Sequence, residues 1–133
     1  MFYGAQVWGG ESHEQVEKLL RFFIKKLIFL PANTPNYMLH LETGIVPQYF
    51  HTLRAHMLFI TRCLSLPTSR LPRVLADESI RQEVPWVRNW KRLSLSADLE
   101  PLTEFSPTFL KVFTPLLLSK LVEKEFKLYV ERA

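Results

Sequence analysis

Apolar residues recur along this chain at intervals of three and four, the spacing of one helical face, while strict strand-like alternation is scarce. Between about Glu14 and Phe29, the residues Val16, Leu19, Leu20, Phe23, Ile24 and Leu27 fall on one broad side of a helical wheel. Lys18, Arg21 and Lys25 form a narrow stripe almost opposite. Ser12 followed by Gln15 fits a capping box, and Glu11, Glu14 and Glu17 suit the positive end of the helix dipole. Pro31 ends this helix. Thr34 as N-cap and Pro35 at the first helical position open a short second helix, which Gly44 stops after Thr43. Pro47 opens a third, to about Ser65, with Phe50, Leu53, Met57, Ile60 and Leu64 as its inward face. A fourth runs from about Pro72 to Gln82, with Val74, Leu75 and Ile80 inward, and a fifth from Pro85 to about Leu93. A last helix spans about Pro115 to Glu131, with a turn or short helix before it.

The expected fold is therefore all-α, five to six helices in a small irregular bundle. Residues 1–93 form one helical region, 94–107 an acidic linker punctuated by Ser and Pro, and 108–133 a C-terminal helical segment. The 133 residues suffice for one core. No run approaches the roughly 18 uninterrupted apolar residues of a membrane span, so no membrane partner is expected. The first residues lack the basic and long apolar regions of a signal peptide. The single cysteine, Cys63, excludes an internal disulfide and fits an intracellular setting.

Enzyme signatures are missing. Gly4, Gly9, Gly10 and Gly44 fit no phosphate-loop pattern. His40 and Glu42 match the front half of a deaminase motif whose Pro-Cys-x-x-Cys half has no counterpart. His51 and His56 are five apart, the wrong interval for two metal ligands on one helical face. No metal and no cofactor is expected, and Cys63 reads as a buried, inert thiol.

Charge is more informative. The net charge is +4, and residues 1–97 hold twelve Lys and Arg against seven acids, while the remainder is slightly acidic. In the fifth helix, Trp86, Trp90 and Leu93 share an inward face, and Arg88, Lys91 and Arg92 lie on the other side. Together with Lys18, Arg21 and Lys25 these make two basic spines. Each reads either as a solvated surface or as a surface tracking the phosphates of RNA or DNA. The first helix also fits docking on a membrane surface or a partner groove, but the sequence gives its apolar face a prior use in the core.

The N-terminal half carries a resemblance. Tyr3-Gly4-Ala5-Gln6-Val7-Trp8-Gly9, a basic amphipathic helix with Phe22, Phe23 and Lys26, then Leu30-Pro31, Thr34-Pro35 and Glu42-x-Gly44 resemble, in that order, the segment after the polymerase palm of non-LTR (LINE-type) retrotransposon reverse transcriptases. The resemblance covers about residues 2–65. It implies an α-helical thumb beside a template–primer duplex, cut from a longer polyprotein. It does not carry over the chemistry, because the family's Asp-Asp pair is absent and the first aspartate here is Asp77. The expected role is non-catalytic contact with nucleic-acid backbone. The alternative is a helical interaction module that docks on a parent polymerase domain, or on a second copy, through Phe2, Tyr3 and Trp8.

Overall fold

The computed structural model describes residues 13–99 and 102–133, so the expectations for Phe2, Tyr3, Gly4, Trp8 and Ser12 lie outside the described residues. Six helices and no strand occur among the described residues: α1 Glu14–Leu27, α2 Asn36–Thr43, α3 Gln48–Leu64, α4 Leu71–Arg81, α5 Pro85–Ser96 and α6 Pro107–Arg132. The fold is the all-α bundle that the periodicity predicts. Helix α3 is its centre, packed by α6, α4 and α1, while α6 also leans on α2 and α5.

The core follows the third-helix pattern closely. Leu53, Met57, Ile60 and Leu64 are buried, Phe50 packs against them, and Trp90, Leu93, Leu110, Phe113 and Leu117 close the cluster from α5 and α6. Cys63 is buried there as a free thiol, and burial pushes its pKa up. Trp90 is fully enclosed and Trp86 stacks edge-on against it, so both tryptophans anchor the core as expected.

Several expectations are corrected. Ser94, Leu95 and Ser96 belong to α5, and Ala97 and Leu102 are buried, so the stretch expected as a linker is partly core. Phe105 stacks on Trp90, which draws the acidic stretch onto the bundle. Helix α6 starts at Pro107, with Ser106 accepting from the Phe109 N–H, and runs straight through Pro115. Pro115 sits on the exposed side, where water can reach the Lys111 carbonyl that loses its helical donor. The buried stripe Leu110, Phe113, Thr114, Leu117 and Leu121 holds both halves in register.

On α4, Val74 and Leu75 are exposed, and Ala76 is the residue buried against the core. A small side chain lets α4 approach α3, and Arg73 reaches across to the carbonyls of Leu64 and Leu66 at the end of α3. A cation on the last carbonyls of a helix complements its dipole.

The ends of α1 and α2 also differ from expectation. Thr34 does not cap α2; its hydroxyl donates to the Pro31 carbonyl at 2.7 Å, and Pro35 takes the N-cap position. Helix α1 stops at Leu27 because Phe29 adopts a left-handed conformation (φ 58°), with the Leu30 N–H bonded to the Lys25 carbonyl at 2.9 Å. Gly44 makes the same left-handed stop for α2 at φ 69°, without the steric cost a side chain carries there.

Candidate nucleic-acid interface

Helix α1 is held to the bundle by an unexpected face. Among its apolar residues only Ile24 is buried, while Leu19, Phe22, Phe23 and Leu27 are each more than half exposed. The side turned inward carries Glu17, a carboxylate 6% exposed. Its two oxygens accept from the backbone N–H of Gln48 at 3.1 Å and of Tyr49 at 2.7 Å, the first two residues of α3. Pro47, the N-cap of α3, offers no side-chain acceptor, so Glu17 supplies the missing cap from another helix. That bond fixes the rotation of α1 and turns its apolar row outward. The core use that weighed against docking by this row is therefore not its use.

The first basic spine is brought together, but its members act differently. Lys18 projects into solvent. Arg21 is only 12% exposed and pairs with Glu14. Lys25 reaches over the following turn, its ammonium 3.2 Å from the Ala32 carbonyl and 2.9 Å from that of Thr34. That bridge holds segment 30–36 against α1, and the two enclose a cavity of about 240 Å³. Lys18, Arg21, Phe22, Lys25 and Lys26 line it from α1, with Leu30, Ala32 and Asn36 opposite. Four of these eight residues are cations and none is an acid, so the potential inside is positive and the concave wall concentrates it. Lys26 was not among the expected contact residues. Its ammonium lies 5.6 Å from the centre of the Phe22 ring, a cation–π contact whose signal in the sequence is the four-residue spacing of the two on one helix.

The second spine is separate. Lys91 is tied to Glu83, and Arg92 donates to the Asn89 side chain at 2.7 Å. Arg88 is exposed close enough to Glu83 to help lower that carboxyl's pKa, after the larger effects of Lys91. A second cavity beside α1, about 410 Å³, is reached by Arg21, but α5 lines it with Leu93 and Ser96 and not with cations. It mixes Glu14, Glu17 and Glu125 with Arg21 and Lys124, so no single sign dominates. At its edge, burial and the neighbouring Glu125 hold the Tyr129 phenol well above its ordinary pKa.

The remaining motif residues are structural here. Pro31 and Pro35 bound the turn that Lys25 clamps, Gly44 is a helix stop, and Glu42 is exposed. His40 is buried, with Nδ1 2.8 Å from the Ile45 carbonyl and its ring stacked on Tyr129. Cys63 sits in the α3 core, so His40, Glu42 and Cys63 have three different surroundings. No group of three metal-ligating side chains occurs among the described residues. Nor is any helix among them long and apolar enough to cross a membrane. No family model matches the chain, and neither a curated protein nor a solved structure matches it.

Proposed function

We propose that this chain is a non-catalytic, thumb-like helical piece of a LINE-type reverse transcriptase, contacting nucleic-acid backbone without reading sequence. The observation that supports this most is the cavity beside α1, lined by Lys18, Arg21, Lys25 and Lys26 without a carboxylate. Phosphate oxygens are the common anions that such a lining attracts, and backbone contacts of this kind position a strand without specifying its bases. Arg88 and Arg92 on α5 would add a second, weaker approach to phosphate. The sequence resemblance over residues 2–65 supplies the reverse-transcriptase part of the reading, and the lack of an Asp-Asp pair supplies the non-catalytic part.

Fluorescence anisotropy with a labelled RNA–DNA primer–template, titrated at several salt concentrations, tests it. Arg21 and Lys25 also hold the fold, so the informative variant is Lys18→Gln with Lys26→Gln. Wild-type log affinity is expected to fall linearly with log salt. The double variant should bind roughly tenfold or more weakly, with a slope shallower by about two. Unchanged affinity and slope would leave these cations as solvated surface.

A second reading, a helical interaction module without a nucleic-acid role, is favoured by the outward row Leu19, Phe23 and Leu27. It would dock on a parent polymerase domain or a second copy. Gel filtration across concentration is expected to show mass rising with concentration for the wild type and not for Leu19→Ser with Phe23→Ser. A monomer throughout counts against self-docking.

A further inference from the structure

We infer that the α1 cavity takes an unpaired nucleotide, with a base stacked on Phe22 and its phosphates held by the surrounding cations. This rests on the nucleic-acid reading above and makes it more specific, from backbone of any kind to single-stranded RNA or DNA.

Three observations carry it. First, Phe22 is itself part of the cavity wall, yet the residue is 60% exposed. Lys26 approaches the ring from one side, and the aromatic surface it leaves open to water gains nothing from the core. Second, Lys26 already lies by that ring, so aromatic and cationic groups converge on one point, and Lys18, the other cation left open, lies one turn before Phe22 on the same side of the helix. This is the arrangement of single-strand sites, in which cations track the phosphates and an aromatic face receives a base of any identity. Third, a volume of about 240 Å³ is small. It lies below the roughly 300 Å³ at which pockets for drug-sized ligands begin, so it has room for a single base with its sugar and phosphates at the rim, and not for the side of a duplex. Bases in a duplex are stacked on each other and cannot reach Phe22. The fold prepares the recess without the ligand, because Lys25 bridges to the carbonyls of Ala32 and Thr34 and keeps the far wall in place.

The test compares a labelled oligothymidylate with a duplex of the same length at one salt concentration, using the full chain and its Phe22→Ala and Phe22→Leu variants. Phe22 is exposed, so neither variant removes a core residue, and far-UV circular dichroism checks that each is folded. Single-strand affinity should exceed duplex affinity by roughly tenfold, the usual value of one stacked base. Both variants should lose that preference, Leu as well as Ala, because apolar bulk without a π-face cannot stack. Duplex affinity should fall by far less than single-strand affinity in both, because a duplex offers no base to the ring. If the wild type binds duplex as well as single strand, or if Phe22→Leu keeps the preference, the stacking inference is overturned while the backbone reading stands. If neither nucleic acid binds at low salt, both fail together.

Discussion

Acidification from pH 7 to pH 4 is expected to remove about 3 kcal/mol of folding stability through one residue, His56. This histidine is 4% exposed in the middle of α3, edge-on to Trp86 and Trp90, with ring centres 5.7 and 5.5 Å away. Its Nδ1 has no hydrogen-bond partner among the described residues. Burial alone lowers its pKa from 6.5 to about 4, since a cation among tryptophan rings has lost water and gained no counter-charge. The folded state therefore holds His56 neutral where the unfolded chain would already have bound a proton. Stability from this source is complete above about pH 6.5 and drains away as the pH falls toward 4. Urea midpoints at pH 7, 5.5 and 4 measure it, with His56→Leu as the comparison. The leucine variant keeps apolar bulk and cannot take a proton, so its midpoint should vary much less over that range. Equal pH dependence in the two proteins would assign the acid sensitivity to carboxylates instead.

His56 also shows what kind of information the sequence holds. Its helix was legible: prolines at 47 and 67 bracket it, and Leu53, Met57, Ile60 and Leu64 repeat at helical intervals around a core face. What the interval could not reveal is that a polar ring shares that face. A neutral imidazole fits among apolar neighbours and leaves no periodic trace. The same blindness explains α4. Periodicity placed Val74 and Leu75 inward because they are large and apolar, whereas close approach to α3 selects the small Ala76 and the long reach of Arg73. Pro115 was misleading for the opposite reason, as a local rule overridden by packing on both sides of it.

The candidate site was legible in its composition and not in its geometry. A wheel drawn on α1 finds Lys18, Arg21 and Lys25 in one stripe. It cannot say which cation stays open to a ligand and which is consumed, by Glu14 for Arg21 and by the carbonyls of Ala32 and Thr34 for Lys25. Nor can it rotate the helix. A wheel assigns the widest apolar face to the core, and here that assignment fails because a carboxylate on another side of α1 has a more specific use.

That use predicts the second large effect. Glu17→Ala is expected to destabilise the fold by about 3 kcal/mol, because the Gln48 and Tyr49 N–H groups lose an ionised acceptor at the positive end of α3. Each bond to a charged acceptor is worth roughly 1.5–3 kcal/mol, and partial hydration of the freed helix end recovers some of the total. Glu17→Gln keeps a single carbonyl oxygen and should fall between the wild type and alanine. The loss should be uneven along the chain. Ile24 is the only other fully buried residue of α1, so without Glu17 the helix has little to hold its rotation. Amide hydrogen exchange should therefore show α1 losing protection well beyond the change in the α3–α6 core. The Phe22 recess would loosen with it, since its near wall is α1. If α1 keeps its protection in Glu17→Ala while urea stability falls, the carboxylate caps α3 without orienting α1. The outward turn of the apolar row must then come from the clamp that Lys25 makes on the turn before α2.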